Sequence, residues 1–185
     1  MLKKIKELLK PKTKPSWKNN EYFDEAWKRR IGALALLIED ERVILDLGCG
    51  KMWLKEMLPE NIKYISCDYT KRGPDTIICD FNKKEFPSVE ADVCFVSGVF
   101  EYIVNTDWFL EKIHGCCGSL IISYCTTDFH PDIKARRALN WVNDFSFEEL
   151  KKAIEAKGFV FYKKGKRTDN NELMKFKATS KRASG

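Results

Sequence analysis

Val43-Ile44-Leu45-Asp46-Leu47-Gly48-Cys49-Gly50 decides the fold. Its first half is a short β-branched and apolar run, the pattern of a buried strand. The run closes in a glycine turn, and Lys51–Leu58 beyond it reads as a helix that Pro59 ends. A strand that enters a helix through glycines lets a ligand approach the backbone, because side chains there would block it. Asp46 places a charge at the carboxyl end of a buried strand, where it must accept hydrogen bonds from the loop or from a cationic ligand. A dinucleotide fingerprint needs a third glycine opening the helix. Lys51-Met52-Trp53 occupies that place, which disfavours NAD.

The same alternation continues along the chain. Strands are expected at Ile62–Cys67, Thr76–Cys79, Asp92–Ser97 and Ser119–Tyr124, with a helix at Asp107–His114. Ser146 followed by Glu149 is a capping box that starts a helix ending at Gly158. Phe159–Tyr162 and Leu173–Ala178 follow with only a polar turn between them, so they must be antiparallel neighbours. Strands alternating with helices imply a mostly parallel sheet covered on both faces. The expected organisation is a basic helical segment over 1–40, an α/β domain over 41–180 and a tail over 181–185. Within the first segment, Phe23 and Trp27 lie on a helix over 21–39, where they either pack the core or close over a ligand.

Polar residues recur where the strands end. Asp68 follows the second strand, 18 residues beyond Gly50, where an acid can take both hydroxyls of a ribose. Asp80-Phe81 follows the third strand, suited to an adenine amino group and ring. Ser97-Gly98-Val99 bends away from the fourth. Each is also a common turn former. Four in register at the edge where open α/β sheets bind ligands point to one crevice.

These residues resemble those of the class I S-adenosylmethionine (SAM)-dependent methyltransferases, over roughly residues 41–164. Asp46-Leu47-Gly48-Cys49-Gly50 is similar to the glycine-rich first motif of that family. The resemblance implies a Rossmann-like fold with a seven-stranded sheet and an antiparallel last strand. It also implies SAM as cofactor. Gly48 and Gly50 would face its methionine part, Asp46 its amino group, Asp68 the ribose, and Asp80 with Phe81 the adenine. Cys49, Tyr69, Ser97, Gly98, Val99 and Glu101 complete the implied cofactor set. Two departures stand out. Met52 replaces the usual last glycine, and the helix between the second and third strands shrinks to Tyr69–Asp75. Asp68-Tyr69, Arg72–Asp75 and Arg136-Arg137 with Trp141-Val142-Asn143 are similar to small methyltransferases of bacterial surface-polysaccharide functions. A small-molecule or glycan acceptor, methylated at oxygen, follows as the expectation.

Placement of the acceptor's proton points to His130, on the loop after the fifth strand, as a candidate base; a plain surface-loop histidine is the alternative. Arg136, Arg137, Trp141 and Asn143 fall in the long connection before the capped helix and are candidates for acceptor binding. A pair of arginines suits a phosphate or carboxylate, and equally a solvated surface.

The 185 residues suffice for one domain with a proper core. No apolar run nears the ~20 residues of a membrane span, and the first residues lack a secretory pattern, so a cytoplasmic protein is expected. The seven cysteines sit mostly in apolar runs, without a C-x-x-C pair or a histidine cluster. They read as reduced thiols, and no metal site is expected.

The net charge of +6 is uneven: residues 1–30 and 163–185 each carry +6, and the middle −6. Basic ends keep an RNA methyltransferase open as an alternative, although no Asn/Asp-Pro-Pro-Tyr motif appears and no strong nucleic-acid binding is expected. A SAM-binding regulator without turnover is a third class. Leu2, Ile5, Leu8 and Leu9 opposite Lys3, Lys4, Lys6 and Lys10 would allow a weak peripheral membrane contact through residues 1–12.

Overall fold

The computed structural model describes residues 23–168 and 170–179. The expected membrane contact through residues 1–12 and the tail over 181–185 lie outside them. Among the described residues, seven strands form one sheet in the order β3-β2-β1-β4-β5-β7-β6. They are β1 (Val43–Leu47), β2 (Lys63–Asp68), β3 (Ile77–Ile78), β4 (Ala91–Ser97), β5 (Cys117–Tyr124), β6 (Phe159–Lys164) and β7 (Glu172–Ala178). The first five run parallel, while β7 lies antiparallel between β5 and β6. This is the expected Rossmann-like methyltransferase sheet. Five helices accompany it: α1 (Glu25–Ala35), α2 (Trp53–Met57), α3 (Thr106–Cys116), α4 (Ile133–Ala138) and α5 (Phe147–Glu155).

Apolar strand residues divide between two covered faces. On one, Leu45, Leu47, Val96, Leu120 and Ile122 pack with Phe109, Leu110 and Ile113 of α3 and with Leu150 and Ile154 of α5. On the other, Ile44, Val93, Phe95 and Ile121 pack under Leu34 of α1, Leu37 and Leu54 of α2. Residues 25–37, taken from the sequence as part of a segment ahead of the domain, thus close one face of its core. The capping box forms as read: Ser146 accepts from the Glu149 N–H, and the Glu149 carboxylate accepts from the Ser146 N–H at 2.8 Å. α4 falls in the long connection after β5, where the sequence pattern predicts no helix. It is six residues long and begins where Asp132 accepts from the Lys134 and Ala135 N–H groups.

Lys175 of β7 is wholly buried, and its ammonium is held by Glu39 at 2.8 Å and Glu41 at 2.7 Å. Lys163 binds the same Glu39 at 2.7 Å. The hydrogen bonds from Lys163 and Lys175 hold the Glu39 carboxyl down to about 2. Removing the cation leaves the Glu41 carboxylate without a counter-charge beside the core, with the Glu39 N–H at 2.8 Å still bonded to it. Lys175→Ala should therefore cost about 3 kcal/mol in urea unfolding near neutral pH. Because the folded value for Glu39 is depressed, its contribution is complete above about pH 4.5 and fades as the pH falls toward 2. The variant should lose stability less steeply than the parent across that window.

Candidate functional site

A cavity of about 660 Å³ opens at the carboxyl edge of the parallel strands. Its floor is the turn after β1. Gly48 and Gly50 hold φ of 81° and 51°, and a Cβ on them would meet Val99 and the Phe23 ring at 2.2 and 2.6 Å. Met52, at the place of the missing glycine, takes the left-handed conformation itself, with φ 56°. The loop keeps its course at the cost of backbone strain in a residue with a side chain.

Asp68, at the end of β2, is 3% exposed and lines the cavity. It accepts from the Gly50 N–H at 3.0 Å and the Thr70 N–H at 3.2 Å, so the two strand-end loops share one carboxylate. Arg72 turns back to it, with Nε 3.2 Å from Oδ2, and lies over the rings of Phe23 and Tyr69. The short segment that replaces a helix thus folds onto the site. Thr76 secures it by accepting from the Gly73 N–H at 2.8 Å. Asp80 and Phe81 follow β3, and Asp80 caps the turn by accepting from the Asn82 N–H. Asn82 bonds to the Tyr102 carbonyl and the Val104 N–H, both at 2.9 Å, which joins this loop to the one after β4.

The β4 end supplies Ser97, Gly98, Val99 and Glu101. Glu101 is only 2% exposed. Its Oε1 accepts from the Cys125 N–H at 3.0 Å, whereas Oε2 has no hydrogen-bond partner among the described residues. Burial raises its carboxyl above the ordinary range, against the opposing charge of Arg30. Arg30, from α1, lines the same wall and donates to the Ser97 hydroxyl at 3.3 Å. Tyr102, Ile103, Asn140, Trp141 and Val142 complete the far side.

The structure therefore brings Gly48, Gly50, Asp68, Tyr69, Asp80, Phe81, Ser97, Gly98, Val99, Glu101 and Trp141 to one cavity. It does not bring Asp46 or Cys49 there. Asp46 lies inside the strand, 4% exposed, and accepts from the Tyr64 hydroxyl at 2.7 Å. Burial raises its carboxyl to about 7; the Tyr64 bond pulls it down and the charge of Asp68 pushes it up. The Cys49 side chain is buried in the turn.

His130 is also off the cavity. Its ring meets the edge of Trp141 at 5.7 Å between centroids, and its Nε2 is buried without a hydrogen-bond partner among the described residues. Arg136, 0% exposed, is a structural cation. It donates to the Cys125 carbonyl at 2.8 Å, the Tyr124 hydroxyl at 2.9 Å, the Asn143 carbonyl at 3.0 Å and the Asp144 carboxylate at 2.6 Å. Arg137 pairs with the same Asp144. Asn143 binds the Phe100 carbonyl at 2.7 Å and the Ile103 carbonyl at 3.0 Å. These three residues hold the wall in place from behind, and Trp141 alone of the four acceptor candidates faces the cavity.

Sequence reasoning missed Arg30, Arg72 and Tyr102 as lining residues. Arg72 had a signal, since it stands four residues after Asp68. Arg30 reads as the solvated side of an amphipathic helix until α1 is placed over the strand ends.

The sequence matches no family model and no curated protein sequence. Solved structures do match its fold. A Burkholderia thailandensis 1,6-didemethyltoxoflavin-N1-methyltransferase, with S-adenosylhomocysteine and its acceptor bound, is 18% identical at a TM-score of 0.64, over 85% of this chain and 80% of that one. The magnesium protoporphyrin IX methyltransferase of Synechocystis PCC 6803, with S-adenosylhomocysteine bound, is 12% identical at 0.61, over 83% and 84%. The mitomycin 7-O-methyltransferase is 14% identical at 0.67, over 86% of this chain and 56% of that one. The fold is that of the class I SAM-dependent methyltransferases. No helix among the described residues is long and apolar enough to cross a membrane.

One prediction isolates the carboxylate behind the turn. Asp46 should titrate near pH 7 in carboxyl-observed NMR, and Tyr64→Phe should move it higher by removing a bond to the charged form. With its folded value above the unfolded one, Asp46 costs no stability below about pH 4 and progressively more toward pH 7. An Asp46 signal that titrates near 4 in both proteins would overturn this.

Proposed function

We propose that this protein is a SAM-dependent methyltransferase acting on a small-molecule or glycan unit, at oxygen. The observation that carries the reading is the cavity, where two glycines, the two carboxylates Asp68 and Asp80, and Phe81 converge on consecutive strand ends. Its residues fit the cofactor: a Cβ at Gly48 or Gly50 would fill the cradle, and Asp68 stands where a ribose would need an acceptor. Bound there, SAM supplies a methyl group already activated on a sulfonium. Asp68 would take the ribose hydroxyls, Asp80 and Phe81 the adenine, and Gly48 and Gly50 the methionine part. Arg30, on the same wall, would face the methionine carboxylate, a polar role at that end that buried Asp46 is not placed to fill.

The acceptor would enter beside Tyr102, Trp141 and Val142. A cavity of this volume has room for a cofactor and a compact acceptor group. Glu101 then serves in place of His130: its Oε2 would receive the acceptor's proton, and burial, which raises its carboxyl, makes it a stronger base than an exposed carboxylate. Arg136 acts as a positioning residue, because it holds the carbonyl of Cys125 and lies 4.9 Å from the centre of the Trp141 ring.

Calorimetry with SAM and S-adenosylhomocysteine tests the first step. Asp68→Ala should weaken both by about 1–3 kcal/mol, the worth of hydrogen bonds to a charged group. A folded protein that binds neither ligand would sink the reading. Release of S-adenosylhomocysteine should then be measured with separate small-molecule, sugar, RNA and protein pools as acceptors. Turnover driven by RNA alone would transfer the activity to nucleic acid. With the active pool in hand, Glu101→Gln should keep S-adenosylhomocysteine affinity while turnover falls by about 10²–10⁴.

A further inference from the structure

At the opposite edge of the sheet the fold gathers three thiols that are scattered in the sequence. Cys94 lies in β4, Cys116 ends α3 and Cys117 begins β5, and their sulfurs all lie within 4.8 Å of one another. Cys94 and Cys116 are 3.5 Å apart. Cys94 is fully buried, and Cys117 nearly so. Cys116 is half-buried and lines a groove shared with Lys112, Glu111 and residues 86–90. One half-buried thiol thus lines a groove with a second in contact with it.

The third thiol is otherwise engaged. Cys117 Sγ donates to the Ser119 carbonyl at 2.9 Å and the Ile113 carbonyl at 3.2 Å. A metal would require three thiolates beside the core, with no histidine or cation among the cluster's members to balance them. A disulfide removes two thiols and leaves no charge, so the apolar surroundings favour it. Burial pushes the Cys94 and Cys117 thiols up. Cys116, the one of the three that lines the groove, is the thiol a soluble oxidant reaches first.

We propose that Cys94 and Cys116 are a peroxide-sensitive pair that closes to a disulfide, with Cys116 as the attacking thiolate. The Cys116 thiolate attacks one oxygen of hydrogen peroxide, the O–O bond breaks, and the departing hydroxide takes a proton to leave as water. Cys116 is then a sulfenic acid, oxidised by two electrons. The Cys94 sulfur attacks it, the S–O bond breaks, and the Cys94 proton leaves with the hydroxide as a second water. The approach needed is small, from 3.5 Å to a bond of about 2.05 Å. The link would tie the end of α3 to β4, three residues before Ser97 in the cavity wall.

The test uses the full chain treated with a few equivalents of hydrogen peroxide, then alkylated and digested with trypsin without reduction. Cleavage after Lys84, Lys112 and Lys134 isolates Cys94 on one peptide and puts Cys116, Cys117 and Cys125 on another. The expected product is 2 Da lighter, joins these peptides, and on fragmentation links Cys94 to Cys116; dithiothreitol should reverse it. Cys116→Ser should slow peroxide consumption at least tenfold and abolish the link. Cys94→Ser should leave a sulfenic acid on Cys116 that dimedone traps. Failure of Cys116→Ser to fold leaves the parent's linked peptide to decide. A bond to Cys117 or Cys125, or no link while other thiols oxidise, would overturn the proposal.

Discussion

Five parallel strands must finish at one edge of a sheet, and that constraint organises everything else in the molecule. Buried on both faces, β1, β2, β4 and β5 leave polar groups free only where their ladders end. Each of those ends needs a partner for its last backbone groups. At the β1 end the partner is the Asp68 carboxylate, which takes the Gly50 N–H; at the β4 end Gly98 donates to the Ser123 hydroxyl at 3.0 Å. The cavity is what remains between loops tied to each other in this way.

Two buried hubs divide the work of holding that edge. Asp68 gathers the loops after β1 and β2, together with Arg72. Arg136 gathers the end of β5 and the connection after it, because its guanidinium reaches Cys125, Tyr124, Asn143 and Asp144, and Asn143 in turn donates to the Phe100 and Ile103 carbonyls after β4. A guanidinium out of water is costly unless its N–H groups find acceptors in fixed directions. Its planar fork meets that need, and the long connection between β5 and α5 is forced into one course. Val142, donating to the Glu101 carbonyl at 2.8 Å, then brings Trp141 against the cavity. The Asp68 hub and the Arg136 hub share no side chain, so the two halves of the cavity wall can vary separately.

The strand edges were legible from the sequence because hydrophobic runs, glycine turns and strand-end acids are local signals. Asp68, Asp80, Phe81, Ser97, Gly98, Val99 and Glu101 all reach the cavity as their positions predict. What escaped depends on the direction of a side chain within the sheet. Asp46 points away from the opening and finds Tyr64 on β2, a pairing set by register between two strands. His130, Arg136, Arg137 and Asn143 looked like free loop groups, yet each is buried or engaged by residues brought in from elsewhere in the chain. Arg136 on α4 and Trp141 just beyond it are five positions apart, and they differ in which side of the connection they occupy. The thiol cluster escaped for the same reason, since Cys94 and Cys116 become neighbours only once β4 and β5 pair.

Charge around the cavity bears on turnover as well as binding. Asp68, Asp80 and Glu101 line it against Arg30 and Arg72, and Asp46 lies behind the turn. Three of the four acids are nearly sealed from water, where a charge a few ångströms away is felt several-fold more strongly than in bulk solvent. On the methyltransferase reading, the ligand that enters is a sulfonium cation and the one that leaves is a neutral thioether. The carboxylates then favour the cofactor over its product, and the attraction lapses when the methyl group departs. Glu101 enters that balance twice, because a proton taken from the acceptor neutralises it in the same event. The wall that held a cation is left holding two neutral groups, and the step that consumes the cofactor also loosens the hold on what is left of it.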